Sequence, residues 1–366
     1  MNPSTKPNRV PRLTRRLLFA LAFVLPALAQ AQVGLRQITV GDLPVTLVYP
    51  TASTARVSTF GPFELQVARD AEPTPGQHHL IVMSHGTGGN ALSDHALAAT
   101  LARAGFVVAQ PLHQGDNFQD HSLAGPASWD LRPREVSRVI DALLKDPSWK
   151  DRLVADRVGV HGMSAGGVTA LSLAGAQWRL LDMVRHCQAH ADDDAGFCFS
   201  GLVDPAAVAA RRARYESARD VPESYLPADL TAVHGGRTAK APAEDGRPDP
   251  RVAAVTVAVP LAAIFTAESL AHVRVPVGVV SAGRDEWLVP AFHSSRLLEL
   301  CRACTRLIDL PGAAHMDLLA PWPATVATAV AKTQLRGAQP APGFDARERD
   351  VAFTAIGEFF RRELSR

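Results

Sequence analysis

The sequence predicts an α/β protein in which a mostly parallel sheet carries helices on both faces. Short, continuously apolar runs recur along the chain and are typical of buried parallel strands. Segments with helical periodicity alternate with these runs, and glycine-rich or polar turns follow several of them. Because ligands bind at the carboxyl ends of the strands in such sheets, we expect the functional residues in those turns.

The elements follow one another in a regular order. Two strands separated by Gly41-Asp42-Leu43-Pro44 come first, and strand and helix then alternate. The predicted strands cover residues 35–40, 45–50, 79–85, 106–111, 157–162, 251–260, 275–283 and 305–312. The predicted helices cover residues 93–106, 134–144, 166–176, 294–304 and 351–364.

The first 31 residues have the pattern of a secretory signal peptide. Five basic residues precede an apolar run from Leu17 to Ala29, which is too short to span a bilayer and ends in small residues. We expect residues 1–31 to be removed, and residues 32–366 to form one domain that is periplasmic or secreted, without stable membrane insertion. An uncleaved membrane anchor is the alternative.

The charge of the expected mature chain argues against a nucleic-acid partner. The full chain has 38 basic and 36 acidic residues, and loss of the five basic residues before Gln32 leaves 33 against 36. No basic stripe remains, so we expect no nucleic-acid binding. The sequence indicates no oligomeric state.

Four cysteines, at positions 187, 198, 301 and 304, fit an exported protein in an oxidising compartment. They allow three pairings, among which we favour the two local ones. Cys301-Arg-Ala-Cys304 also has the spacing of a redox motif, but it falls late in a predicted helix, whereas a lowered thiol pKa favours a helix N-terminus. We therefore interpret this pair as structural.

Residues 177–250 interrupt the alternation of strands and helices. The segment is rich in Ala, Arg, Asp and Pro, and it lies between the fifth and sixth predicted strands. We predict a cap insertion that packs over the site. Its polar composition differs from that of a lid that docks on lipid.

The motif Gly162-Met163-Ser164-Ala165-Gly166 lies between an apolar strand and a helix. In this context it predicts a nucleophile elbow, a strained turn that exposes a serine oxygen at the end of a strand. The glycines on either side let neighbouring backbone approach closely. Ser164 is the predicted nucleophile, and an ordinary surface turn is the alternative.

A nucleophilic serine needs a base and a group that orients the base. His315 follows the last predicted strand, and Asp285 follows the strand before it. The chain order Ser164, Asp285, His315 is that of α/β-hydrolases. Glu286 is the nearest alternative to Asp285 as the acidic residue that orients the base, and Asp309 and Asp317 are weaker alternatives.

A tetrahedral oxyanion needs two donors. We expect the backbone N–H of Ala165, directly after the nucleophile, and that of Thr87, in the glycine-rich loop "SHGTGGN". Three residues near strand ends are candidates for substrate binding: Trp287, His113 and Phe118. Asp116, Asn117 and Trp129 are further candidates of the same kind.

A metal site is a further possibility that the sequence raises. His186 and His190 stand four residues apart beside an aspartate run, which is a spacing that could bind a metal on a helix face. No Glu follows the first histidine, as a metallohydrolase would need, so we predict no metal and no organic cofactor.

Several of these motifs together resemble the dienelactone hydrolase-like branch of the α/β-hydrolases. The resemblance covers about residues 35–360 and is carried by "SHGTGGN", "GFVVAQPLHQGDN", "GVHGMSAGG", "VPVGVVSAGRDEWLVP" and "LPGAAHM". The chain is similar to the exported serine-dependent members, such as platelet-activating-factor acetylhydrolases and bacterial polyester-cleaving esterases. True dienelactone hydrolases use a cysteine nucleophile, where this chain has Ser164.

This resemblance implies a serine hydrolase that cleaves small carboxylic esters, of short to medium chain length, through an acyl-enzyme. It implies a triad of Ser164, Asp285 and His315, with Thr87 and Ala165 as oxyanion donors. An amidase or peptidase with the same triad is one alternative. A catalytically inactive binding protein on the same fold is another.

Overall fold

The computed structural model describes Met1 and residues 32–218, 248–319 and 321–366. Residues Ala31–Arg366 form one compact unit. The predicted signal peptide lies outside the described residues, apart from Met1. Along the described part of the chain, no helix is both long enough and apolar enough to cross a membrane.

A single ten-stranded sheet organises the domain, in the order β10-β9-β8-β7-β5-β6-β2-β1-β4-β3. The six strands from β10 to β6 are mutually parallel, and β2 joins them as an antiparallel neighbour of β6. The strands are β1 (Gln32–Val40), β2 (Leu43–Thr51), β3 (Arg56–Phe60), β4 (Phe63–Arg69), β5 (Leu80–Ser84), β6 (Val107–Pro111), β7 (Val158–Met163), β8 (Val252–Ala258), β9 (Val277–Ala282) and β10 (Cys304–Leu310).

Helices cover both faces of the sheet, as the alternation of elements predicts. The helices are α1 (His95–Arg103), α2 (Pro126–Lys145), α3 (Ala165–Leu173), α4 (Leu180–His190), α5 (Ala195–Cys198), α6 (Pro205–Ser217), α7 (Ala267–His272), α8 (Ser294–Leu300), α9 (Ala324–Lys332) and α10 (Ala346–Leu364), with a 3₁₀ turn at His315–Leu318.

Alternate residues of the central strands divide the core into two layers. Leu80 and Val82 of β5 pack with α2 and α3 on one face. Ile81 and Met83 pack with α1 and α10 on the other. Burial of both faces explains why the central strands are continuously apolar. The mixed α/β architecture with a mostly parallel sheet agrees with the predicted fold class.

Two elements differ from the sequence prediction. The hairpin β3–β4 was not predicted, although Phe63, Leu65 and Val67 alternate with exposed residues in the manner of a half-buried strand. Helix α2 begins at Pro126, eight residues before the predicted start, because Pro126 occupies its first turn, where a proline is tolerated.

The segment predicted as a cap contains three described helices, α4, α5 and α6, while residues 219–247 lie outside the described part. Helix α5 lies directly against the loop after β9: a Cβ on Gly196 would come within 2.1 Å of the carbonyl oxygen of Glu286. The disulfide Cys187–Cys198 joins α4 to α5, and Cys301–Cys304 joins the end of α8 to β10. Both pairings are the local ones that we favoured.

Candidate active site

Ser164, Asp285 and His315 follow the ends of three strands that lie close together in the sheet. Ser164 follows β7, Asp285 follows β9, and His315 follows β10. Strands β7, β8, β9 and β10 are parallel neighbours, so their carboxyl ends share one edge.

Ser164 occupies a strained backbone turn. Its φ is +55°, a value that few non-glycine residues adopt, and it immediately precedes α3. A Cβ on Gly162 would lie 2.0 Å from the carbonyl oxygen of Gly166, and one on Gly166 would lie 1.9 Å from that of Ser84. Neither position can therefore hold a side chain, which gives a physical reason for both glycines of the motif.

Asp285 and His315 form a buried hydrogen bond. His315 Nδ1 donates to Asp285 Oδ2 at 2.7 Å, and each side chain is 2% exposed. The other carboxylate oxygen accepts the N–H groups of Trp287 and Leu288, at 2.9 and 2.8 Å. Both oxygens are thus engaged, and the ring is fixed with Nδ1 toward the carboxylate.

The other three acids considered at the sequence level have different positions. Glu286 is exposed. Asp309 accepts from Ser281 Oγ at 2.7 Å. Asp317 accepts the N–H groups of Ala314 and Ala341, both at 2.8 Å, and so fixes the turn that carries His315.

The ring of His315 has one nitrogen that is not engaged. Along the described residues no hydrogen bond reaches His315 Nε2 or Ser164 Oγ. The ring of Trp287 stacks on that of His315, with 6.1 Å between centroids and 24° between planes. The histidine is therefore fixed on one edge and on one face, while Nε2 remains available for proton transfer.

Hydrogen bonds to the carbonyl oxygen of Ser164 fix the direction of the next N–H group, that of Ala165. The carbonyl oxygen of Ser164 accepts the N–H groups of Gly167 and Leu261, at 2.8 and 3.1 Å. In a trans peptide the N–H points opposite to the carbonyl, so the N–H of Ala165 points away from these donors. A helix N-terminus adds a partial positive charge at the same place.

The glycine-rich loop after β5 lies beside the serine. A Cβ on Gly86 would lie 3.3 Å from Ser164 Cβ. The carbonyl oxygen of Gly86 accepts from Gly89 N–H at 3.1 Å and from His85 Nδ1 at 2.8 Å. The N–H of Thr87, on the opposite side of that peptide unit, therefore points away from these two donors.

The three predicted substrate contacts have different environments. Trp287 is half-buried beside His315. Phe118 has a side chain that is 56% exposed, and its backbone N–H donates to the carbonyl oxygen of Gly89. His113 is completely buried, which does not agree with a direct substrate contact. Its Nε2 donates to Ser84 Oγ at 2.8 Å, and its Nδ1 lies 2.6 Å from Glu135 Oε2.

Burial determines the charge state of this internal pair. It lowers the pKa of His113 well below the usual range. It also raises the pKa of Glu135 to about 7. A protonated Glu135 that donates to a neutral His113 satisfies both side chains below that pH. The buried ring of His113 therefore joins the end of β5 to α2 through Ser84 and Glu135. Trp129, which is 5% exposed, is likewise a packing residue.

The histidines considered as metal ligands make other contacts. His186 Nε2 donates to Asp194 Oδ2 at 2.8 Å, and His190 Nδ1 lies 3.7 Å from Asp193. In the described ranges no group of three or more His, Cys, Asp and Glu side chains converges as metal ligands.

A second Asp–His pair lies near the first and was missed by the sequence analysis. Asp194, from the predicted cap, accepts from His293 Nε2 at 2.9 Å and from Val289 N–H at 3.2 Å. His293 Nδ1 accepts the N–H groups of Ala262 and Ala263, at 3.1 and 3.3 Å. The pair spans 99 residues of sequence, so no local pattern could have indicated it.

No protein-family profile and no curated protein sequence matches the chain. Among solved structures, the ferulic acid esterase from Streptomyces cinnamoneus is similar in fold, with a TM-score of 0.57. The sequence identity is 19%, and the match covers 93% of this chain and 92% of that chain. This likeness shows a shared fold, and it does not identify the dienelactone hydrolase-like branch that the sequence resembles.

Proposed function

We propose that the chain is an exported serine carboxylic-ester hydrolase with the α/β-hydrolase fold, acting on small-molecule esters of short to medium chain length. The observation that carries this proposal is the hydrogen bond from His315 Nδ1 to the buried carboxylate of Asp285, at the same edge of the sheet as the strained turn at Ser164. The fold likeness to an esterase supports the same class of reaction.

The mechanism follows from the roles of these groups. Ser164 Oγ attacks the ester carbonyl carbon, and its proton passes to His315 Nε2. Asp285 holds Nδ1 and stabilises the imidazolium that forms. The N–H groups of Ala165 and Thr87 stabilise the tetrahedral oxyanion.

The second half of the reaction uses the same groups. His315 returns the proton to the leaving alcohol, and the acyl group stays on Ser164. Water, deprotonated by His315, then attacks the acyl carbon; the bond to Ser164 Oγ breaks, His315 returns the proton to Oγ, and the carboxylic acid is released. No step requires a metal or an organic cofactor. The two disulfides are consistent with an exported protein.

A hydrolysis screen tests this proposal. The mature protein is assayed on p-nitrophenyl esters from acetyl to dodecanoyl, on methyl ferulate, and on matched p-nitroanilides, with Ser164→Ala as the control. We expect hydrolysis of esters, with short acyl chains preferred, and loss of that hydrolysis in the control. Preferred cleavage of the anilides would indicate an amidase or peptidase, and binding without cleavage would indicate an inactive binding protein.

A further inference from the structure

The loop that carries Thr87 is held by a buried ion pair that the reaction steps above do not use. Arg132, on α2, and Asp116, in the loop after β6, are both completely buried, and Arg132 Nη2 lies 2.7 Å from Asp116 Oδ2. Burying two charges costs free energy that the pairing recovers only in part. Such a pair is a weak source of stability, which raises the question of what else it does.

Arg132 engages the loop through its carbonyl groups. Nη1 donates to the carbonyl oxygen of His85 at 2.6 Å, and Nη2 lies 3.4 Å from that of Gly86 and 3.2 Å from that of Asp116. The remaining guanidinium nitrogen, Nε, has no partner within the described residues. Two of the three guanidinium nitrogens are therefore directed at the backbone around the glycine-rich loop.

Asp116 engages the same loop through an N–H group. Its Oδ1 accepts from Gly88 N–H at 2.9 Å, while Oδ2 accepts from Ser128 Oγ at 2.6 Å as well as from Arg132. The ion pair thus holds the backbone groups on both sides of Thr87. In the described structure, the N–H of Thr87 itself donates to no protein group.

The orientation of one peptide unit connects these contacts to the reaction. The carbonyl oxygen of Gly86 faces Arg132, His85 Nδ1 and Gly89 N–H, so the N–H of Thr87 must point away from all three. A donor to a carbonyl also polarises its peptide unit and strengthens the N–H on the other side as a donor. The carbonyl of Ser164 is held in the same way, by Gly167 and Leu261.

We propose that Arg132, together with Asp116, is a positioning residue that holds the N–H of Thr87 toward the oxyanion formed at Ser164. This inference rests on the proposed function, because it assigns a role within that reaction. Arg132 does not touch the substrate. Its effect is exerted in the transition state, where the oxyanion exists, and not in the ground-state complex.

A double variant tests this role. Arg132→Met/Asp116→Asn removes both charges together, so that neither is left buried without a partner, and Asn at position 116 can still accept from Gly88. Removal of one oxyanion donor costs about 10²- to 10³-fold in kcat in other hydrolases. For a misdirected donor we expect kcat to fall about 30- to 100-fold, with KM changed less than about threefold.

A boronic acid gives a readout that a merely structural role would not change. It forms a tetrahedral adduct with the serine and places an oxygen in the oxyanion site, and we expect its affinity to fall in parallel with kcat. Arg132→Lys keeps the charge pair but cannot reach both carbonyls, so we expect an intermediate kcat.

The matched control removes another Arg–Asp pair by the same substitutions. Arg251 and Asp249 are joined at 2.6 Å just before β8, at the opposite edge of the sheet. Arg251→Met/Asp249→Asn therefore controls for loss of an ion pair, and we expect a lower Tm with unchanged kcat. Circular dichroism and thermal unfolding of every variant establish that each is folded.

Two results would overturn the inference. One is a folded Arg132→Met/Asp116→Asn variant, or a folded Arg132→Lys variant if the double variant does not fold, whose kcat and boronate affinity equal those of the wild type. The other is a loss of kcat that follows Tm alone, with boronate affinity unchanged. If the wild type itself neither hydrolyses esters nor binds the boronate, the proposed function fails first.

Discussion

Two of the buried Asp–His pairs in the described part of the molecule, Asp285–His315 and Asp194–His293, differ in a way that shows what leaves such a pair available for chemistry. Asp285 holds His315 by Nδ1, and Nε2 has no hydrogen-bond partner in the described residues. Asp194 holds His293 by Nε2, and the other nitrogen accepts two backbone N–H groups. The first histidine thus keeps one ring nitrogen free of hydrogen bonds within the described residues, whereas both ring nitrogens of the second are engaged.

The two carboxylates also differ in what they connect. Asp285 accepts from two N–H groups of its own loop and from His315, so all its contacts build one site. Asp194 accepts from His186 of α4, from His293 and from Val289, so it joins the predicted cap segment to the loop that carries Asp285. We interpret the first pair as part of the site and the second as a structural link.

The largest expected difference between the pairs is in catalysis. Asp285→Asn would leave His315 without a charged partner and in the wrong tautomer, so we expect kcat for ester hydrolysis to fall about 10⁴-fold. In Asp194→Asn we expect kcat within about threefold of the wild type. Steady-state kinetics on one p-nitrophenyl ester compare the two, and similar losses in both variants would remove the distinction.

The second prediction concerns stability. His293→Leu removes the acceptor of two backbone N–H groups in a completely buried position, and we expect the free energy of unfolding to fall by about 2–4 kcal/mol. At temperatures well below Tm we expect kcat to remain near that of the wild type. Urea titration followed by fluorescence measures the loss, and an unchanged midpoint would contradict the structural role.

The third prediction is a dependence on acid pH. Burial alone would raise the pKa of Asp194, but hydrogen bonds from His186 and His293 outweigh it and lower that pKa to about 2. Because the pKa is depressed on folding, the stabilisation is present above the unfolded value near 4 and is lost as the pH falls toward 2. It amounts to about 2 kcal/mol.

This pH effect has a direct control. Thermal unfolding of Asp194→Asn, measured between pH 2 and pH 5, should show a shallower decline of Tm toward acid than the wild type. Parallel declines in the two proteins would show that other carboxylates account for the acid sensitivity.

The smallest expected effect is at Trp287, whose ring stacks on His315. Trp287→Ala would remove that contact while leaving the hydrogen bond to Asp285, so we expect kcat to fall about tenfold, equivalent to about 1.4 kcal/mol. Trp287→Phe should restore most of the rate. If Trp287→Ala raises KM instead of lowering kcat, the ring acts in substrate binding and does not hold the histidine.

The central strands and the candidate site could be predicted from the sequence because both depend on local patterns. Continuous apolar runs predicted β5 to β9, and Ser164 and Asp285 each follow such a run, whereas His315 follows the more polar strand β10. What could not be predicted depends on side-chain direction and on long-range contacts. His113 follows β6, but it turns inward to Glu135 instead of facing the crevice.

The contacts of the predicted cap segment, residues 177–250, could not be predicted from the sequence for a related reason. Asp194 lies in an acidic run that could equally be a solvated surface, and its partner His293 is separated from it by an entire strand–helix–strand unit. Only the folded chain brings helix α5 against the loop after β9. Strand β4, in contrast, has an alternating pattern of buried and exposed residues that does indicate a strand, whereas β3 has no such pattern.

Labelling of the purified mature protein with a fluorophosphonate probe, with the adduct located by mass spectrometry, tests the central claim most directly. We expect one adduct, on Ser164, that is absent in Ser164→Ala and forms much more slowly in Asp285→Asn than in Asp194→Asn. No adduct on well-folded wild-type protein, or an adduct at another serine, would contradict the assignment of Ser164, Asp285 and His315 as the reacting groups.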